Sequence, residues 1–180
     1  TDAAGAPMSS IQAGQTFYLE AWVSDQRSAP LGVAAAYLDV SYPGSLVAVG
    51  GAISVGAEFP LFAAGQTAMA GLIDEAGAGR TTTLPDAQEH LLWRIPMLGQ
   101  ARGNAVFTAD PADNQPAGQF LLFGFDGPLD SHVNVEYLGA TLQLKGPPTA
   151  ADDAYRVDED DLLAVTAVQG VLANDHDEEG

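Results

Sequence analysis

Apolar residues in this chain recur at every second position over short segments, with no long stretch at helical spacing. Residues 15–23 set the pattern. Phe17, Leu19, Ala21 and Val23 fall on one face, and Tyr18, Glu20 and Trp22 on the other. A period of two is that of a half-buried strand. Residues 33–42 repeat it with Leu38, Val40 and Tyr42, and residues 90–98 with Leu91, Trp93, Ile95 and Met97. Pro96 inside that last run predicts an edge or a bulge. Further strands are expected within 46–55 and over 67–73, 103–109, 119–125, 133–137 and 140–145. Pro43-Gly44, Gly50-Gly51 and Gly127-Pro128 read as turns or interruptions, and Asp74-Glu75 as a polar turn. Residues 24–32, 56–66, 76–88 and 110–118 read as loops. Short strands at close spacing with turn signals between them predict an all-β, antiparallel β-sandwich. Its expected core is Phe17, Leu19, Val23, Leu38, Val40, Leu91, Trp93, Ile95, Phe107, Leu122 and Leu142.

Charge narrows the function classes. The 180 residues carry 6 Lys+Arg against 24 Asp+Glu, a net charge of -18. Phosphate contacts need cations, so nucleic acid and anionic membrane surfaces are disfavoured partners. Half of the excess sits in residues 148–180. Clustered carboxylates there repel one another until water or a hard cation intervenes. The chain has no cysteine, which removes disulfides, thiolate metal sites and thiol nucleophiles. No apolar run approaches membrane-spanning length. No signal peptide is legible, and a start at Thr1 reads as a mature or excerpted segment.

Residues 147–180 read PPTAADDAYRVDEDDLLAVTAVQGVLANDHDEEG. A Pro-containing linker leads to Asp152, Asp153 and Tyr155. The acidic turn Val157 to Asp160 follows, and then Gly170, Val171, Leu172, Asn174, Asp175, Asp177 and Gly180. This string resembles the opening of a repeat unit from bacterial cadherin-like, VCBS-type and Ig-like surface proteins, with Glu179 standing where the pattern usually has Asp. The resemblance implies a secreted or cell-surface modular protein that uses calcium. It also implies a short C-terminal β segment after the sandwich.

A second set of segments lies upstream. Residues 11–23, 32–42, 71–78, 91–97 and 103–113 follow the order of the cohesin-like and carbohydrate-binding-module-like sandwiches of large secreted bacterial proteins, planctomycetes especially. Here the resemblance implies a cohesin-like jelly roll over residues 11–146, preceded by a linker at 1–10 and followed by the tail at 147–180. Cohesins bind dockerins, so a protein partner is implied as well.

Candidate chemistry is concentrated in carboxylates. Asp175, Asp177 and Glu179 form a D-x-D-x-E-G loop, in which alternate oxygens can converge on one calcium ion and Gly180 permits the turn. Asp152 and Asp153, with the run Asp158 to Asp161, form a second candidate at the domain junction. Solvated acidic surface is the plain alternative for both. Asp74-Glu75 and Asp110 with Asp113 are placed on loops, where they could be ligands or, as loop aspartates commonly do, form Asx turns. Tyr18, Glu20 and Trp22 form an outward row able to stack a sugar ring, or one covered by a loop or forming a second packed layer. Leu163 and Val165 belong to an apolar stretch able to pair with a strand edge, in this chain or in a neighbouring copy. Catalytic motifs are missing: no G-x-S-x-G, no H-E-x-x-H and no Gly-rich phosphate loop. His90, His132 and His176 lack ligand spacing, and Lys145 is the sole lysine available for an isopeptide bond.

These features predict a non-enzymatic structural or adhesive module. Its partners would be neighbouring copies or domains of the same protein, joined by calcium-stiffened junctions or strand donation. The alternative is a carbohydrate- or protein-binding module.

Overall fold

The computed structural model describes residues 1–114, 120–126, 129 and 134–176. The chain is all-β. Its strands are β1 (Ser10–Gln12), β2 (Thr16–Val23), β3 (Val33–Ser41), β4 (Val47–Val49), β5 (Ser54–Val55) and β6 (Leu61–Gln66). They continue with β7 (Leu72–Gly79), β8 (His90–Gly99), β9 (Gly103–Pro111), β10 (Phe120–Leu122) and β11 (Ala140–Lys145). The larger sheet runs β1-β11-β9-β3-β7-β6, with β10 also paired to β3. The smaller runs β2-β8-β4, with β5 also on β8. β1 joins β11 in parallel, and the other pairs are antiparallel.

The two inner faces bury the alternating residues read from the sequence. Phe17, Val23, Leu38, Val40, Trp93, Ile95, Phe107 and Leu142 are buried, while Leu19 and Leu122 are half-buried against them. Phe17 meets Phe107 edge-on across the sheets at 6.1 Å, and the Trp93 indole N–H donates to the Ala76 carbonyl at 3.2 Å. That bond satisfies the one polar atom of the largest buried side chain.

One expected core position is displaced by a residue. Leu91 is half-buried and its neighbour Leu92 is fully buried. Ala21 pairs with Trp93 but Trp22 pairs with Leu91, so β8 carries an extra residue at Leu92. The bulge breaks the alternation and turns Leu92 inward.

Pro96 lies in β8, the central strand of its sheet, not at an edge. Its carbonyl accepts from Gly50 N at 2.8 Å. A residue's N and O leave a strand on the same side, so the missing N–H faces the gap between β4 and β5 and no ladder bond to β2 is lost.

Three other segments are more ordered than their composition suggests. Residues 61–66 form edge strand β6. β7 runs on through Asp74-Glu75 and the A-G-A-G run to Gly79, where a loop was expected. The N-terminal residues, expected as a linker, pair beside β2: the Thr1 amino group donates to Tyr18 O and Tyr18 N to Thr1 O. Conversely, residues 134–139 form no strand.

From Pro147 to His176 the chain contributes no residue to the core. Its ends are closed by a single bridge, Thr149 to His176, and its interior holds one 3-10 turn, Ala167–Gln169.

Candidate functional site

The outer face of the larger sheet is built on an absence of side chains. Ala76 and Ala78 point into the core, so Gly77 and Gly79 face outward. A methyl group on Gly77 would run into the Ala36 carbonyl and the Tyr37 ring, so only glycine fits beneath that ring. The Tyr37 hydroxyl donates to the Phe62 carbonyl at 2.8 Å. Burial pushes the Tyr37 phenol pKa up, which keeps this donor protonated. Phe62 stands at φ 55 and is 73% exposed, with its ring edge beside Gly79. A bulky residue in the left-handed region is strained. Exposed Val106 continues the face on β9, beside Thr108, Ser41 and Thr141.

Between Tyr37 and Ser41 on β3 the same face becomes acidic. Leu38 pairs with Ala76 and Val40 with Ile73, so Asp74 and Glu75 together oppose Asp39 alone. This bulge is what the sequence presents as a turn. Glu75 takes φ 57, and its N–H donates to Asp39 Oδ1 at 2.7 Å. Glu75 Oε1 in turn accepts the backbone amides of Asp113 and Asn114, at 2.8 and 2.7 Å, fastening the segment after β9 to β7. Burial, foremost, and the neighbouring carboxylates of Glu75, Asp74 and Asp110 raise the Asp39 pKa against the Glu75 N–H bond, which lowers it. One oxygen each from Asp39, Glu75 and Asp113 lies within 4.8 Å of the others, so the three could hold a metal ion. Sequence reading flagged Glu75 and Asp113 but missed Asp39. Its signal was a lone carboxylate inside the apolar run of β3.

The outer face of the smaller sheet carries the aromatic row. Tyr18 pairs with Pro96 and Glu20 with Arg94. The Arg94 guanidinium covers the Tyr18 ring, 4.0 Å from its centroid, and its Nε lies 3.5 Å from Glu20 Oε1. Trp22 remains open, 49% exposed, and its indole N–H donates to Glu20 Oε2 at 3.2 Å. The structure thus brings Glu20 and Trp22 together and closes Tyr18 to stacking.

In the tail, Asp175 Oδ1 accepts from Ala151 N at 2.9 Å, and Asn174 Nδ2 donates to Asp152 O at 3.2 Å. Asp152 and Asp175 are therefore brought near one another, each engaged through the loop's own closure. Asp153 Oδ1 is 3.4 Å from the Tyr155 hydroxyl, whose shorter bond, 2.6 Å, goes to Gln169 O. Asp177, Glu179 and Gly180 lie outside the described residues, as does His132. Leu163 and Val165 belong to no strand of this chain, and both are exposed. His90 is held between Glu58 and Asp86, with ring nitrogens 2.6 and 2.9 Å from their carboxylates.

No family model and no curated protein matches the chain. Solved structures do. One is a cohesin module from a family 33 glycoside hydrolase of Clostridium perfringens, with TM-score 0.56 and 12% identity, covering 78% of this chain and 93% of that one. Another is CaCohA2 from Clostridium acetobutylicum in solution, with TM-score 0.46 and 15% identity, covering 75% and 84%. At such identities the likeness to the first is one of fold: this chain has a cohesin-like β-sandwich.

Proposed function

We propose that the chain is a non-catalytic module that binds a protein partner through the outer face of its larger sheet. The observation that carries this reading is Phe62. A phenylalanine that is 73% exposed and held at φ 55 opposes both burial and backbone preference. Strain of this kind persists where the surroundings impose it, and it gathers at binding surfaces. Here Tyr37 fixes the Phe62 carbonyl, and Gly77 and Gly79, both buried, leave room for the Tyr37 and Phe62 rings against the sheet. Asp39, Glu75, Asp110 and Asp113 form an acidic group next to these rings along β3, and exposed Val106 lies beyond them, past Ser41, at the far end of the same face. An aromatic anchor with a polar surround is the usual anatomy of a protein contact. The cohesin-like fold is an analogy in the same direction, and on it we take a dockerin-type module as the partner class.

The acidic group offers oxygen ligands only, a donor set that suits a hard cation, so calcium is the proposed ion there. A place within a longer secreted polypeptide, with the acidic tail as its joint, belongs to the same proposal.

Titration calorimetry against a panel of purified dockerin modules tests the reading. At least one should bind with Kd near about 1 μM or tighter. Phe62→Ala should weaken that binding about tenfold or more. Absence of binding across the panel, or binding indifferent to both Phe62→Ala and Val106→Asp, would contradict it.

A further inference from the structure

Trp22 lies on the opposite face of the sandwich from Phe62, and the protein-contact reading leaves it unused. Its environment is specific. Its ring stands on the outer face of β2 and is 49% exposed. The indole N–H is committed to Glu20 Oε2, which fixes the ring plane. Glu20 Oε1 is drawn toward Arg94, and the Glu20 side chain is only 6% exposed, so this carboxylate is itself immobilised. Thr1, Gly5, Pro7, Glu20, Trp22, Gln88 and Glu89 surround a shallow, open depression of about 440 Å³, with the Thr1 amino group on its wall. The other end of the aromatic row is shut by Arg94 over Tyr18, so the row offers one ring and not an extended platform.

We propose that this depression is a subsite for a single pyranose ring of a neutral glycan. The axial C–H groups of a pyranose are apolar and slightly positive, and they lie against the electron-rich face of an indole. The hydroxyls at the ring's rim would meet the exposed Gln88 amide and Glu89 carboxylate, while Glu20, 6% exposed, serves to hold the indole. The Thr1 amino group and the Arg94 guanidinium offset Glu20 locally, so it is the field of the whole chain, net charge -18, that disfavours uronic and sialic acids. The charge therefore selects neutral sugars. A platform of one ring binds one residue weakly, so avidity from repeated sugars is required.

Affinity electrophoresis and tryptophan fluorescence test this with hydroxyethyl cellulose, xylan, galactomannan and soluble starch, and with polygalacturonate as the acidic comparison. Trp93 is fully buried, so a ligand-induced change in emission reports on Trp22. The expected result is retardation by at least one neutral polymer, none by polygalacturonate, and about a tenfold or greater loss with Trp22→Ala. Glu89→Ala should weaken binding while leaving the bond between Glu20 and the Trp22 indole in place. Phe62→Ala should leave sugar binding unchanged, which separates this site from the protein-contact face. Retardation by none of the neutral polymers, or retardation that survives Trp22→Ala, overturns the proposal. Unaltered Trp93 emission in Trp22→Ala establishes that the variant is folded.

Discussion

Arg27 closes on Asp25 in a two-pronged pair: Nη2 lies 2.6 Å from Oδ2 and Nε 2.8 Å from Oδ1. The same buried carboxylate accepts the backbone amides of Leu31 and Gly32, each at 3.0 Å, so it organises the whole turn between β2 and β3. Its pKa is driven far below the ordinary carboxylate range by the Arg27 guanidinium and by those amides, against the opposing effect of burial. A depressed folded-state pKa stabilises above the unfolded value, about 3.9, and the benefit is lost as pH falls toward the folded value. Asp25→Ala strands several donors and should cost about 2–4 kcal/mol at pH 7. Arg27→Ala should cost less, because Asp25 keeps its amide donors. Urea unfolding at pH 7 and at pH 3 checks both the magnitudes and the sign: the gap between wild type and Asp25→Ala narrows in acid.

The bulge in β8 makes adjacent leucines unequal. Leu92→Ala empties a fully buried site and should cost about 2–5 kcal/mol, whereas half-buried Leu91→Ala should cost about 1 kcal/mol or less. Chemical denaturation of the two variants measures the difference directly. Equal losses would mean that the bulge lies elsewhere.

Phe62→Gly separates stability from binding. Glycine removes the left-handed strain at φ 55, and the phenyl ring it deletes is mostly in water. The expected outcome is a melting temperature equal to or above that of wild type, from strain relief of about 1 kcal/mol, together with loss of partner binding.

Calcium should raise the melting temperature relative to chelator, through the Asp39, Glu75 and Asp113 group. Asp39→Asn keeps the oxygen that accepts the Glu75 amide and removes a buried negative charge. In chelator this variant should therefore be as stable as wild type or more so, and it should gain nothing from calcium. Melting curves with and without the ion decide the point. A wild-type midpoint indifferent to calcium would contradict the metal reading.

The sandwich was legible because strands buried on one face write their orientation into alternating residues. β2 is the clearest case, from Phe17 to Val23. Alternation fails where backbone geometry departs from it, as at Leu92, where one inserted residue shifts the inward face. It fails again where strands are made of small residues. β7 reads as a loop because Gly77 and Gly79 carry no side chain, yet their bareness is what the Tyr37 and Phe62 rings require. The Asp39 group was half legible for a related reason. Glu75 and Asp113 looked like turn residues, and only the pairing of β3 with β7 and β9 brings them to Asp39. For Tyr18 the sequence leaves open whether the ring is free or covered, because nothing local foretells that Arg94 from the paired strand will cover it.

Amide chemical-shift mapping of the isotopically labelled chain, titrated with a bound dockerin module, tests the proposed contact face most directly. The expected perturbations cluster on β6, β7, β3 and β9, at Phe62, Gly77, Gly79, Tyr37, Val106 and Thr108, and spare β2 and β8. Perturbations centred on Trp22, Glu20 and Arg94, with the Phe62 and Val106 amides unmoved, would contradict a protein contact on the larger sheet.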